Sequence, residues 1–440
     1  MADIDKAITF EERVDLQVKD RTKGMEIEVD ITEENPDFES FEELEDGNIA
    51  FGEPMPQEEE IDFYENLAEV LDDSDLSSLK NDLMGSINSD KESRSDWEKT
   101  YRDGLEYLGM KYEERSRPFE GASGVMHPLL AESVTQFQAQ AYNELLPSQG
   151  PVKTQVIGMT TPETEQQAAR VQEFMNYQLM QVMREYDSET DQMLFYLPLS
   201  GSAFRKVYYD QNLGRAVSKF IPSEDLIVPY GATDLHSATR ITHVLDMSMN
   251  EIRKLQQIGF YRDVELNTGG SSANEIDEIQ EEIDELQGVK PGFDDNDTCK
   301  VHEIHTELDI PGFEDLDAEG EETGIKLPYI VTIASGKVLA VRRNYKENDQ
   351  LKQRINYFVH YKFLPGLGFY GFGLTHMIGG LSKAATSILR QLIDAGTLSN
   401  LPAGFKARGI RIRNDDQPLQ PGEFRDMDAP GGSLRDAFVP

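Results

Sequence analysis

A chain of 440 residues is long enough for roughly two to four domains and a sizeable apolar core. Its 82 acidic residues against 42 basic ones leave a formal charge of −40. That balance excludes a protein that grips nucleic acid over its whole surface, but not one that surrounds DNA without adhering to it. The single cysteine, Cys299, excludes an intramolecular disulfide framework and any multi-cysteine zinc site, and fits a reducing compartment.

The first residues lack the basic and apolar regions of a signal peptide, and no apolar run approaches the roughly 18 residues of a membrane span. A soluble, cytosolic product with no membrane contact is expected. Residues 1–80 carry 27 acidic and 6 basic side chains, with only short apolar words between them. Residues 1–75 therefore read as an acidic, largely disordered extension.

Order is expected from about Asp96, where Trp97, Tyr101, Leu105, Leu108 and Tyr112 make one stripe of an amphipathic helix. A second helix opens at His127-Pro128, carries Leu130, Val134, Phe137, Ala141 and Leu145 on one face, and stops at Pro147. A short strand is expected over 152–156. Thr161-Pro162 then starts a long helix whose Val171, Phe174, Met175, Gln178 and Val182 should face inward, and a further helix runs through Met193, Leu194 and Leu197 to Pro198. Residues 202–209 and 215–220 read as a hairpin, and Ser248 with Glu251 as a capping box.

Past residue 264 the composition changes. Gly269-Gly270-Ser271-Ser272 reads as a flexible link, and Ile276, Ile279, Ile283 and Leu286 mark the seam of a short acidic helix that needs a docking surface. Strands are expected at 301–310, 329–333, 338–343 and 357–363, followed by a glycine cluster and a strong helix over 374–398. This order makes an α+β chain, with long amphipathic helices packed on small antiparallel sheets.

The motifs that could carry chemistry fail on spacing. Gly366, Gly368 and Gly371 spell G-x-G-x-x-G, but Phe369 and Tyr370 fill the interval and the position 20 residues on falls inside a helix. A glycine-hinged aromatic turn, extending to Gly373, explains them better. Ser335-Gly336-Lys337 lacks the upstream glycine and the magnesium ligand of a P-loop, and Asp294-Asp295-Asn296-Asp297 lacks the glycine and the glutamate of a calcium loop. In a strand His302 and His305 point to opposite faces. Gly121-Ala122-Ser123-Gly124 lacks the spacing of a nucleophile elbow. No catalytic residue, metal or cofactor is assigned. One basic cluster, Lys406, Arg408, Arg411 and Arg413, is expected to pair between subunits or, as the alternative, to take DNA phosphates.

Several ordered words resemble the portal (head-to-tail connector) proteins of tailed double-stranded-DNA phages, especially those of short-tailed phages. They include Trp97 in a first helix, Arg115-Ser116-Arg117-Pro118-Phe119-Glu120-Gly121, Met175-Asn176-Tyr177-Gln178-Leu179-Met180, and Leu194-Phe195-Tyr196-Leu197-Pro198-Leu199-Ser200-Gly201. Ile221-Pro222-Ser223-Glu224-Asp225-Leu226 and Phe369-Tyr370-Gly371-Phe372-Gly373 with the helix to Leu398 continue the likeness, which spans about 94–440. The resemblance implies a non-enzymatic ring, normally of twelve copies, at the capsid vertex of the virion, assembled in the host cytoplasm. Double-stranded DNA would be packaged and ejected through it without sequence specificity. Implied partners are the terminase large subunit, the major capsid protein, the scaffolding protein and tail adaptor proteins.

By that likeness 76–263 would be the helical and hairpin part of a portal wing, 264–325 an acidic insertion, and 326–440 strands, aromatic turn and long helix of the portal core. The family's stem and clip have no counterpart before Pro440, so a continuation beyond 440 is expected. The alternatives are another virion scaffold or adaptor, or a nucleotide-dependent enzyme using Gly366 to Gly371.

Overall fold

A computed structural model describes residues 62–110, 114–115, 122–211, 213–266, 278–289, 298–316 and 322–400, and the backbone of six short strands outside them. The chain divides into residues 1–61 and 62–440. In the first unit the antiparallel pair β1 (Phe41–Glu43) and β2 (Ile49–Phe51) is described. The rest of that unit lies outside the described residues, and with it the expected disorder of residues 1–61.

The second unit is α+β and begins earlier than the sequence suggested. Asn66 caps a 3-10 turn, Leu67–Glu69, whose Leu67 and Ala68 are fully buried. Helix α1 (Asp73–Ser93) follows at once. The boundary at 75 and the onset of order at Asp96 are thus both corrected. The helix was hidden because its inward residues Leu76, Leu83 and Ile87 are a thin stripe among Ser, Asp and Lys.

In α2 (Ser95–Glu106), Tyr101 and Leu105 are buried and Trp97 is stacked between Tyr101 and Tyr370, at 5.7 and 4.5 Å between ring centroids. Tyr112 lies outside the described residues. Helix α3 (Leu129–Leu145) buries Leu130 and Val134 and leaves Leu145 half exposed. The expected strand at 152–156 does not form; that segment pairs with no strand. Helix α4 (Pro162–Tyr177) opens on a reciprocal capping box between Thr161 and Thr164 and runs into a π turn, Gln178–Val182. Helix α5 (Glu185–Ser200) ends on Gly201 in the left-handed conformation.

Strands β3 (Ser202–Asp210) and β4 (Arg215–Ile221) form the expected hairpin. Next come β5 (Leu226–Ile227) and β6 (Arg240–Ser248), then α6 (Met249–Gln257), capped by Ser248, and α7 (Glu278–Gln287). Strands β7 (Thr298–Leu308), β8 (Leu327–Ala334) and β9 (Lys337–Arg343) complete a five-stranded antiparallel sheet in sequential order β5 to β9. Strand β10 (Phe358–Lys362) returns to the free edge of β3, and α8 (Leu374–Asn400) follows. Two further antiparallel pairs close the chain: β11 (Phe405–Lys406) with β14 (Phe438–Val439), and β12 (Arg411–Ile412) with β13 (Met427–Asp428).

This topology corrects the expected division of the chain. Strand β7 is central in the large sheet, so 264–325 is not a separable insertion. The β10–β3 pairing likewise joins the 326–440 block to the 76–263 block. One apolar core spans both sheets, with Phe204, Ile221 and Phe358 of the small sheet packed with Leu226 and Ile241 of the large one.

Candidate assembly surface

The glycine cluster is a packing joint. A Cβ on Gly371 would run into the Gly201 carbonyl, one on Gly373 into the Leu199 carbonyl, and one on Gly366 into the Tyr370 carbonyl, whereas Gly368 has open space. The Gly371 amide donates to Ser202 Oγ at 2.8 Å, and Thr375 Oγ1 donates to the Leu199 carbonyl at 2.9 Å. The glycines therefore let the backbone that starts α8 touch the end of α5. Gly371, which a dinucleotide would need bare, is covered by the carbonyls of Gly201, just past α5, and of Leu364. Beside this joint the buried Arg94 donates to the carbonyls of Ser223, Glu224 and Leu226, to Tyr370 Oη and to Glu98, tying the α1–α2 junction to the aromatic turn.

Between the two sheets lies a buried polar cluster that the sequence did not reveal. Lys206 Nζ is 2.6 Å from both carboxylate oxygens of Glu303, and His305 Nε2 is 2.7 Å from Glu303 Oε1. Burial would raise the Glu303 carboxyl, but Lys206 and the His305 hydrogen bond outweigh it and hold it well below the usual range. Burial pushes His305 down despite Glu303, so neutral His305 donates through Nε2–H rather than forming an ion pair. Burial, helped by Lys206, takes His243 down to about 3, and burial with Lys362 takes His360 to about 3. Among the described residues no group of His, Cys, Asp and Glu could hold a metal ion.

The seam of α7 finds its partner within the chain. Ile279 is buried with Tyr101 and Leu105 of α2 and Leu130 and Val134 of α3, and Ile283 and Leu286 pack on the same cluster. Ile276 lies outside the described residues.

Helices α4 and α8 are turned inside out. In α4 the stripe Val171, Phe174 and Met175, expected to face inward, is exposed, with Phe174 at 59%. The adjoining side of α4 serves the segment before it. Val152 N donates to Asn176 Oδ1 at 2.9 Å, Thr154 N to Gln172 Oε1 at 3.3 Å, and Thr154 Oγ1 to the Ala168 carbonyl at 2.9 Å.

Helix α8 repeats the arrangement. Its buried residues are the small or polar Thr375, Gly379, Ser382, Thr386 and Asp394, while Met377, Leu381, Ile388 and Leu392 stand out in solvent at 55 to 69%. The inner side again meets irregular backbone: His127 N donates to Thr386 Oγ1, Ser123 N to Asp394 Oδ1, and Arg390 Nε to the Val125 carbonyl. Unpaired backbone needs polar partners, so each helix presents its polar side inward and leaves its apolar side uncovered. A groove of about 580 Å³ between the end of α2 and α8 runs along the charged flank of α8, past Lys383, Arg390 and Asp394.

Of the basic cluster, Lys406 lies on β11 opposite Phe438, and Arg411 on β12 opposite Asp428. Arg408 and Arg413 lie outside the described residues. No helix among the described residues is long and apolar enough to cross a membrane.

Residues 205–414 match the family model described as Phage SU10 portal protein. The match supports a phage portal protein and agrees with the resemblance read from the ordered words. No curated protein matches the chain.

Proposed function

We propose that this chain is the repeating subunit of a portal ring at the capsid vertex through which double-stranded DNA is packaged and ejected. The observation that carries this reading is the portal-family match across 205–414, which takes in both sheets, the glycine joint and α8. The uncovered apolar sides of α4 and α8 add that the single chain is incomplete as a folded surface. Around the ring, the terminase large subunit, the major capsid protein, the scaffolding protein and tail adaptors are the proposed partners. The charge of −40 per copy suits a channel in which the duplex slides on water and counterions instead of adhering.

Negative-stain imaging of the full-length protein tests this. A ring with a central channel is the expected result, and a compact monomer at high concentration overturns it. The nucleotide-enzyme alternative is checked by thermal shift with NAD and ATP. A true site at one hundred times its Kd adds about 2.7 kcal/mol, and no shift is expected here because Gly371 is packed against Gly201.

A further inference from the structure

Between Leu146 and Met183 the chain builds a part of its own. Of residues 147–182 only Gly150 is buried, and the side chain that faces it is Asn176 from the same stretch. Neither α4 nor the π turn Gln178–Val182 contributes a buried residue, and α4 packs closely on no other helix and on no strand. Its hydrogen bonds close on themselves. Asn176 accepts from Val152 N and donates to the Val152 carbonyl at 3.2 Å, Gln172 accepts from Thr154, and Gly150 N donates to the Pro147 carbonyl at 2.8 Å. Among the described residues no hydrogen bond or ion pair joins 147–177 to the chain beyond 147–182.

The two ends are different. Leu146 and Met183 are buried, and each breaks its helix, with φ −120° and ψ 63° at Leu146 and φ −87° and ψ 78° at Met183. A part that shares no core with its body is not held at one angle by packing, and a few residues at element ends suffice to absorb a swing. The apolar side chains it carries, with Ile157 at 96% exposure and Met159 at 88%, add nothing to its seat.

We propose that 147–182 is an arm that swings as a unit on the body about Leu146 and Met183. Its internal bonds keep 149–154 against α4, so segment and helix turn together, and no core contact has to break as they do. The device belongs to the single chain and stands apart from the ring reading. Along the helix Glu163 stands about 28 Å from Val182 and Glu173 about 14 Å, so a swing of about 20° carries the first through about 10 Å and the second through about 5 Å.

Spin-label distances in the full-length protein test this, on the monomeric fraction from size exclusion or on assembled material dissociated by dilution. Material that resists dissociation is measured with labelled copies diluted among unlabelled ones and judged by the same outcomes. The background is Cys299→Ser, a buried and conservative change that leaves no other thiol. Lys254→Cys on α6 is paired in turn with Glu163→Cys, with Glu173→Cys and, beyond the pivot, with Ser188→Cys on α5; all four positions are exposed. Each variant is first checked to unfold like the parent. A narrow distance distribution at Ser188 and a spread at Glu163 about twice that at Glu173 are expected. Distances at Glu163 as narrow as at Ser188 mean a fixed arm, equal spread at Glu163 and Glu173 means fraying rather than a swing, and a broad distribution at Ser188 places the motion in the body; each overturns the proposal. None of these outcomes bears on ring formation, which imaging decides separately.

Discussion

At the level of single residues, the buried histidines couple stability to pH. His243 has an unperturbed value near 6.5 in the unfolded chain and about 3 in the folded one. Between those values the unfolded state binds a proton that the folded state does not. Stability therefore rises with pH across that window and is lost as pH falls below about 6.5. Glu303 adds to the loss lower down, since its carboxylate is held ionised in the fold and protonates first in the unfolded chain. From pH 7 to pH 5, His243 alone accounts for about 2 kcal/mol. Denaturant unfolding at the two pH values should show His243→Leu losing about that much less than the parent. Parallel losses would refute the assignment.

The glycine joint makes an equally local prediction. Gly371→Ala places a methyl group against the Gly201 and Leu364 carbonyls, which are backbone and cannot step aside, while Gly368→Ala meets nothing. A cost of about 1 to 3 kcal/mol or more is expected for the first, and within about 0.5 kcal/mol of zero for the second. Equal effects in chemical denaturation would remove the close approach as the reason for the glycine.

At the level of elements, α7 provides the test of how an acidic helix is held. Ile279 sits in the α2–α3 core and Ile283 packs on its edge. Replacing both with Ser removes roughly 1.5 to 3 kcal/mol for the fully buried side chain and less for the partly exposed one. Faster amide exchange over 278–287, with the sheets still protected, is the expected result. Unchanged exchange would mean that the seam does not anchor the helix.

The same helix shows why parts of the fold were legible. Its isoleucines stand out because everything between them is charged, just as the alternation in β3 and β4 and the capping residues Thr161 and Ser248 are local signals. What the sequence hid was the direction in which a stripe points. Periodicity says that Val171, Phe174 and Met175 share a face, but only the placement of 152–154 along the adjoining side, with nothing packed on this one, decides that this face looks outward. The cluster of Lys206, Glu303 and His305 was hidden for a related reason, since it joins residues about a hundred positions apart through two sheets that no short word encodes.

For the whole molecule, the charge is the dominant fact, and Lys406, Arg408, Arg411 and Arg413 are the one dense basic group set against it. If these residues hold DNA phosphates, Arg411→Gln with Arg413→Gln should reduce the salt slope of DNA binding by roughly one unit per lost contact. If they bridge copies, that slope should hardly move, while assembly weakens by about 0 to 1 kcal/mol per exposed pair and more where the interface buries it. Assembly is the expected outcome. A duplex must enter a field of −40 per copy before it reaches any arginine, whereas a neighbouring copy supplies carboxylates in excess. Ring formation by the double variant, followed by sedimentation beside its DNA affinity at several salt concentrations, separates the two. Normal rings with lost DNA contact would reverse the assignment and place the cluster on the path of the duplex.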